Sequence, residues 1–174
     1  TEYTRQCIAS NPDDVIAMHI KASRPESITV ELELQLLRNA EVVASGNQLI
    51  YTGNAEFEKH GRGGVLFEGR IAAEIKGGTI KADGKKLLID KATEVLLLSD
   101  VRTNYKNTTF AGYDYQQKCK ETIEAASKKS FKTLRNTHVE DYTPLFSRVA
   151  LSFGDNGKFS HLPNDQRWAR VKAG

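Results

Sequence analysis

The run Ile28–Leu36 alternates strictly between apolar and polar side chains, and this alternation is the strongest constraint that the chain places on its fold. Five apolar residues, Ile28, Val30, Leu32, Leu34 and Leu36, are separated by Thr29, Glu31, Glu33 and Gln35. Successive side chains of a strand point to opposite faces, so a period of two predicts a β-strand with one buried face and one wet face. A helix would scatter these leucines around its surface.

Further strand-like segments occupy most of the first hundred residues. They are Arg5–Ala9, Val15–Ile20, Glu41–Ala44, Gln48–Thr52, Val65–Ile75, Thr79–Ala82, Lys86–Asp90 and Glu94–Val101. The segment Val15–Ile20 is apolar on both faces, which predicts a central strand. Gly77-Gly78 and Asp83-Gly84 are spaced as short hairpin turns. Short strands with a turn signal every 8–12 residues or so predict an antiparallel β-sandwich.

The pattern becomes helical after residue 110. Asp114, with Gln117 three residues later, predicts a helix N-cap. Ser130 is placed to cap a second helix, which Pro144 ends or bends. A last helix begins at Asp165 and continues to the end of the sequence.

These patterns predict a mainly β fold with two parts. Residues 1–110 form an antiparallel β-sandwich domain, which we expect to be incomplete at its N-terminus. Residues 111–174 form a helical linker segment that contains one returning strand near 148–153. We expect the chain to belong to a longer polypeptide.

The charge of the chain divides at about the same place. The formal charge is −3 over residues 1–100 and +6 over residues 101–174. The basic cluster consists of Lys118, Lys120, Lys128, Lys129, Lys132 and Arg135. On short amphipathic helices these side chains fall mostly on the outer face, with Glu121 and Glu124 between them, so we expect solvated helix surface and no nucleic-acid partner. No apolar run approaches the roughly 18 residues of a membrane span.

Three other groups have the residue types of a functional site, and each has a more ordinary interpretation. His60–Gly64 is glycine-rich, but a strand follows it where a phosphate cradle needs a helix, so a hairpin loop is favoured. His138, Asp141 and Tyr142 share a helix face, which favours a docking contact over an oriented catalytic histidine. The exposed-aromatic candidates for a sugar platform are Tyr51, Tyr105, Phe110, Tyr113 and Trp168, and most of these positions fit packing.

The remaining motifs are weak. Cys7 and Cys119 have no metal-ligand spacing, and two buried free thiols are favoured over a disulfide between them. Asn107–Thr109 is a glycosylation sequon, a triplet that is common by chance. A pair of carboxylates is the usual catalytic machinery of glycoside hydrolysis. The chain has so many carboxylates that some pair will lie close together by chance, so their number identifies no catalytic pair. The sequence therefore predicts no catalytic, no cofactor-binding and no metal-binding residue, and no cofactor.

Several stretches resemble the N-terminal β domain of glycoside hydrolase family 95, the α-L-fucosidases. They are Ala9–Ile16, Ser23–Ile28, Gly64–Arg70 and Thr103–Lys106. The most specific stretch, His138–Leu151, is similar to that family's passage from the β domain through its linker helices. Leu162–Arg167 resembles the lead-in to the catalytic barrel. The similarity runs in order from about residue 5 to residue 174.

This resemblance implies a non-catalytic β domain that packs against and supports a downstream (α/α)₆ barrel, in a periplasmic or extracellular bacterial enzyme. The family releases fucose from glycans with inversion, using groups in the barrel, so no catalytic residue is carried over to this chain. The implied partners are the rest of the polypeptide and, through the parent enzyme, a glycan, with fucose, galactose and rhamnose all open. The alternative is an autonomous carbohydrate-binding β-sandwich module.

Overall fold

The structure, a computed structural model, describes residues 1–36, 40–55, 64–105, 114–151 and 157–173. Its strands are β1 (Tyr3–Ser10), β2 (Val15–Ala22), β3 (Ile28–Glu33), β4 (Ala40–Ser45), β5 (Gln48–Ala55), β6 (Val65–Lys76), β7 (Thr79–Asp83), β8 (Lys86–Ala92) and β9 (Glu94–Thr103). Its helices are α1 (Tyr115–Ser127), α2 (Phe131–Phe146) and α3 (Asn164–Ala173), with a 3₁₀ turn at Gly157–Phe159. The chain forms two compact units, Thr1–Tyr142 and Thr143–Gly174.

The strands pair antiparallel in two sheets. The six-stranded sheet has the order β1-β2-β9-β6-β5-β4, and the three-stranded sheet has the order β3-β8-β7. The longest ladder joins β6 to β9, from the pair Phe67 and Thr103 to the pair Lys76 and Glu94. The mainly antiparallel β fold with helices toward the C-terminus is therefore confirmed.

The six-stranded sheet is covered on both faces, by different elements. The core between the two sheets contains Ala22, Ile28, Leu49, Ala73, Leu87, Ile89, Ala92 and Val95. Leu98 of β9 points to the opposite face, as strand alternation requires. There it belongs to a second core with Ile123 of α1 and Leu134 of α2, and all three side chains are 0 % exposed. The first unit is thus a β-sandwich with a helical layer on the larger sheet.

Two predicted strands form but differ from their sequence patterns, β2 in burial and β3 in length. β2 lies inside the sheet between β1 and β9, as expected of a central strand, yet Ile16 and Met18 are exposed. The contacts of β2 with the small sheet begin only at Ile20. The predicted strand 28–36 ends at Glu33, because its neighbour β8 begins at the residue opposite, Lys86.

The two glycine turns differ in role. Asp83 pairs with Lys86 across Gly84, whose φ is +59°, so this turn closes the predicted hairpin between β7 and β8. Gly77-Gly78 instead carries the chain from β6 in the large sheet to β7 in the small one. A Cβ on Gly78 would lie 2.1 Å from the Asp90 carbonyl oxygen, and its φ is +66°, so both space and conformation require glycine there.

The strand predicted at 148–153 is not formed at residues 148–151, which follow α2 as a turn and coil. Val149 and Leu151 are 80 % and 77 % exposed. The prediction failed because alternation produces a strand only where a sheet edge supplies hydrogen bonds, and within the described ranges no strand pairs with this segment. Residues 152–153 lie outside the described residues. Pro144 lies inside α2, which ends within one turn of it.

Under α1, the register of β6 and β9 arranges four charged side chains as a checkerboard. Arg70 lies opposite Asp100, and Glu68 lies opposite Arg102. Along each strand, Arg70 Nε donates to Glu68 and Arg102 Nε donates to Asp100, each over 2.7 Å. Gln116 of α1 donates to the second Glu68 oxygen over 3.0 Å. Each carboxylate therefore has cationic neighbours along and across the strands, which offsets the cost of burying it.

We predict that Leu98→Ala lowers the free energy of unfolding by about 2–5 kcal/mol, because it empties space between the sheet and both helices. Urea unfolding monitored by far-ultraviolet circular dichroism would measure the change. Val101→Ala on the same strand is the matched control, since Val101 is 53 % exposed. The control should cost less than about 1 kcal/mol. Equal losses in both variants would contradict the described core.

Candidate functional site

A pocket of about 510 Å³ lies at one end of the six-stranded sheet, beside the turn that joins α1 to α2. Its floor consists of two rows of directly opposed residues on β1, β2, β9 and β6. The outer row is Thr4, Lys21, Glu94 and Lys76, and the inner row is Gln6, His19, Leu96 and Glu74. Opposed residues of an antiparallel pair point to the same face, so the register of the sheet places all eight side chains on the pocket side.

Glu94 is the electrostatic centre of this floor. Its Oε2 lies 3.1 Å from His19 Nε2, and its Oε1 lies 3.5 Å from Lys21 Nζ and 3.4 Å from Lys76 Nζ. Burial by itself would raise the pKa of Glu94, but the hydrogen bonds from His19 and Lys76 and the charges of the two lysines outweigh it. The net effect holds the pKa of Glu94 below its usual value.

The helical side of the pocket is formed by Ser127, Lys129, Ser130, Phe131 and Lys132. The Phe131 ring stacks on the His19 ring, with 4.8 Å between centroids and 23° between planes. Ser130 accepts a hydrogen bond from the backbone N–H of Thr133 over 3.1 Å, which caps α2 as predicted. The sheet and the helices thus hold His19 from two sides, by Glu94 and by Phe131.

Two further contacts hold carboxylates in and beside the pocket, one by an amide and one by a lysine. Asn47 Nδ2 donates to Glu74 Oε1 over 3.1 Å. Lys129 Nζ donates to Asp13, which also accepts from the Ser10 hydroxyl over 2.7 Å. Burial by itself would raise the pKa of Asp13. The two hydrogen bonds and the charge of Lys129 outweigh this effect and hold the pKa below its usual value, so the carboxylate is ionised. The ion pair of Lys129 with Asp13 therefore joins the segment between α1 and α2 to the β1–β2 turn.

The chemistry available in the pocket is hydrogen bonding. Carboxylates accept, ammonium groups donate, and Gln6 can do both. In the described ranges no three His, Cys, Asp or Glu side chains are grouped so as to hold a metal ion. The arrangement is suited to recognising a polar ligand.

Of the residues that the sequence singles out, Lys129 and Lys132 of the basic cluster line the pocket, and the group of histidine, aspartate and tyrosine on α2 does not. His138 stacks on Tyr142, with 5.6 Å between ring centroids, and Asp141 accepts a hydrogen bond from Asn11 over 3.4 Å. That contact joins α2 to the β1–β2 turn, in agreement with the docking interpretation. His60, Gly61, Arg62 and Gly63 lie outside the described residues. The antiparallel pairing of β5 with β6, which flank that segment, is the pairing that a hairpin has.

The basic cluster and the cysteines have structural explanations. All six cluster residues on α1, on α2 and between them are exposed, as expected for a solvated helix face. Both cysteines are free, but Cys7 is exposed, where a buried thiol was expected. Cys119 of α1 is buried between that helix and the checkerboard, and this burial, with the charge of Asp100, raises the pKa of its thiol to about 12.

Only some of the candidate aromatics are exposed. Tyr51 is half-buried against Phe67, at 6.4 Å between centroids, and its ring lies where a Cβ on Gly69 would stand. Tyr105 and Trp168 are exposed. Phe110 and Tyr113, with the sequon 107–109, lie outside the described residues.

Sequence reasoning missed the floor of the pocket because its residues are far apart in the chain. His19 carried one local signal, since it shares a strand face with Val15 and Ala17 and interrupts an otherwise apolar row. Glu94 and Lys76 carried none. They meet His19 only through the pairing of β2 and β6 with β9.

We predict that Glu94→Gln lowers stability at neutral pH and that the deficit shrinks as the pH falls. The depressed pKa means that the folded protein binds the Glu94 proton less tightly than the unfolded chain. This stabilisation is therefore present above the unfolded pKa and is lost as the pH falls through the folded pKa. Urea midpoints of both proteins across an acid series would measure it. The matched control is Glu31→Gln on the exposed side of β3, and a pH-independent Glu94→Gln deficit would contradict the prediction.

This chain is similar to one described protein family and to two curated relatives. The N-terminal domain of glycosyl hydrolase family 65 matches residues 1–108, which comprise both sheets. Alpha-L-fucosidase 2 of Arabidopsis thaliana is 27% identical, covering 86% of this chain and 21% of the relative. Probable alpha-fucosidase A of Aspergillus niger is 27% identical, covering 95% of this chain and 22% of the relative. The chain thus spans about one fifth of the length of these curated relatives.

The expectation of a glycoside-hydrolase β domain is confirmed, while its finer assignment to family 95 and a bacterial source stay predictions, since these relatives come from a plant and a fungus. No helix in the described ranges is long and apolar enough to cross a membrane. The chain belongs to the family described as glycosyl hydrolase family 65, N-terminal domain.

Proposed function

We propose that this chain is the non-catalytic β domain and linker of an α-fucosidase-like glycoside hydrolase, and that residues 143–174 pack against its catalytic region. The names of the two relatives support the fucosidase part of the proposal. The ordered resemblance from Ala9 to Arg167 supports family 95. The place of action we propose is periplasmic or extracellular.

The observation that carries the proposal is the unit Thr143–Gly174, whose described residues, 143–151 and 157–173, form no core of their own. None of its described side chains is buried. Its exposed large apolar side chains are Leu145, Phe146, Val149, Leu151, Phe159, Trp168 and Val171. A single exposed apolar side chain is ordinary. A segment with this many exposed large apolar side chains, and with no buried one among its described residues, is typical of a surface that another structure covers.

The arrangement of these side chains supports a protein surface as the cover. Trp168 and Val171 are three residues apart on α3, and so lie on one face of that helix. Arg170 lies over the Phe159 ring, 3.9 Å from its centroid, and Lys172 lies 5.5 Å from the Trp168 centroid. Aromatic side chains flanked by arginine are enriched at protein–protein interfaces. A downstream helical barrel would supply the complementary face.

We predict that purified 1–174 releases no fucose from a 2′-fucosylated glycan above a blank, because the acid and base groups belong to the proposed catalytic region. Fucose release would be followed with a coupled dehydrogenase assay. The longer polypeptide read from the same gene is the positive control. Activity in 1–174 alone would contradict the non-catalytic assignment.

We also predict that Val149→Asp destabilises the longer polypeptide by more than about 1 kcal/mol while leaving 1–174 unchanged. The substitution puts a charged side chain at a position that is exposed in 1–174 and that we propose is covered by the catalytic region in the longer polypeptide. Thermal melting of both lengths, with and without the substitution, measures the difference. The control is Val43→Asp, an exposed valine on the edge strand β4. Equal behaviour of Val149→Asp in both lengths would contradict packing through this segment, whatever the outcome of the activity assay.

A further inference from the structure

The face of the six-stranded sheet that looks toward the small sheet is covered along only part of its width. Two rows of directly opposed residues cross this face, one made of Cys7, Met18, Leu97 and Ala73 and the other of Ala9, Ile16, Ser99, Ile71 and Leu49. Ala73 of β6 and Leu49 of β5 are buried at one end of the rows. Met18 and Ile16 of β2 are 39 % and 53 % exposed, and the row residues of β1 are exposed as well. The second layer of the sandwich therefore stops part of the way across the rows.

The small sheet has an unpaired edge at β3. Its order is β3-β8-β7, and no described strand pairs with the other side of β3. Val30 lies opposite Ile89 in the β3–β8 ladder, so both side chains face the six-stranded sheet. Ile89 is 2 % exposed, but Val30 is 42 % exposed. A core-facing side chain of β3 is thus only half covered at this edge.

The connections between the sheets place the edge of β3 on the side where the rows are uncovered. β2 leads into β3, β8 leads into β9, and β6 leads into β7, each through a short connection. The order β3-β8-β7 therefore runs in the same direction as β2-β9-β6. At the other side of the small sheet, the Ala44 N–H of β4 donates to the Gly84 carbonyl oxygen over 3.1 Å. The uncovered ends of the rows thus lie beyond β3, on β1 and β2.

An open sheet edge beside apolar rows suits one kind of occupant, an added β-strand. The outer edge of β3 presents backbone N–H and C=O groups that another strand can pair along its whole length. The side chains of that strand alternate between two faces, so every second one would point at the rows. A helix would cover the rows but would leave the backbone groups of the edge to water.

The first residues of the chain lie at the start of β3. The Glu2 N–H donates to Ser23 Oγ over 3.0 Å, and the Ser23 N–H donates to the Glu2 carbonyl oxygen over 2.9 Å. The Tyr3 hydroxyl donates to the Ser27 carbonyl oxygen over 3.0 Å. Polypeptide that precedes Thr1 is therefore delivered to the beginning of β3. A strand that lies along β3 and ends there runs antiparallel to β3, as every other pair in both sheets does.

We propose that the segment directly preceding Thr1 in the longer polypeptide forms a strand that pairs antiparallel with β3 and covers Ile16 and Met18. This inference rests on the proposed function, in which 1–174 is part of a longer chain, and the chain spans about one fifth of its curated relatives. A strand matched to β3 and a short link to β1 require about 8–12 residues. Apolar side chains at alternate positions of that segment face the rows.

The test compares 1–174 with a chain extended at its N-terminus by about 20 residues of the sequence that the gene encodes there. Amide hydrogen exchange is measured on both. We expect the β3 amides that do not donate to β8 to exchange about tenfold or more slowly in the extended chain, because they become ladder donors. The amides of β4, at the far edge of the six-stranded sheet, are the control and should exchange alike in both lengths.

Met18 supplies a second readout, because it is the single methionine of 1–174. Hydrogen peroxide converts an accessible thioether to the sulfoxide, and the extent is read by mass spectrometry of the peptide that contains it. We expect Met18 to be oxidised readily in 1–174 and more slowly in the extended chain, since the added strand covers it.

A substitution on the rows separates covering from folding. Ile16→Asp changes an exposed side chain in 1–174, but it places a carboxylate under the added strand in the extended chain. We expect it to lower the Tm of the extended chain by about 3 °C or more beyond its effect on 1–174. Val43→Asp, on the edge strand β4, is the matched control and should shift both lengths equally, since Val43 is 47 % exposed.

Three results would overturn the proposal. The first is equal β3 exchange and equal Met18 oxidation in both lengths. The second is protection of β3 in 1–174 that rises with protein concentration, which would assign the edge to a second copy. The third is protection that arises only when the proposed catalytic region is attached. The extended chain lacks that region and fucose release is not measured, so this proposal and the proposed function fail separately.

Discussion

The pairing of β6 with β9 is the constraint on which the rest of the first unit depends. This one register decides which side chains of two long central strands face the small sheet and which face the helices. It sets Ala73 and Val95 in the sandwich core, Ala72 and Leu98 under the helices, and the four checkerboard charges under α1. A slip of one residue would exchange the two faces of one strand and turn its charged side chains toward the sandwich core.

The same register also explains why one sheet face has three different characters. Beyond the charged rows and the apolar middle, it brings Lys76 opposite Glu94 and Glu74 opposite Leu96. The neighbouring β2 continues those rows with Lys21 and His19. The same strand pairing that places the core residues therefore also places the floor of the pocket. The polar side chains of the floor lie on paired strands. Strand-borne groups hold their positions more closely than loop-borne ones, which suits a recognition surface.

Local patterns predicted what is local. The alternation from Ile28 predicted a strand and a mainly β fold, and Asp114 and Ser130 predicted the starts of α1 and α2, because strand period and cap chemistry depend on neighbours in sequence. The pocket could not be predicted in this way, since His19 and Glu94 meet only through a long-range register. The strand predicted at 148–153 is not formed at residues 148–151 for the converse reason. Its alternation is real, but the hydrogen bonds that define a strand must come from another segment.

The strand order has a consequence for how the chain is made. β2 ends at Ala22, yet its inner partner β9 begins only at Glu94, so during synthesis the β1–β2 hairpin emerges long before its neighbour exists. Contacts between residues this far apart form slowly, because the chain between them must first be ordered. Meanwhile Val15, Ala17 and Leu49 have no second layer to pack against. The nascent chain therefore passes through a stage with open apolar strand faces, which is the kind of species that chaperones bind.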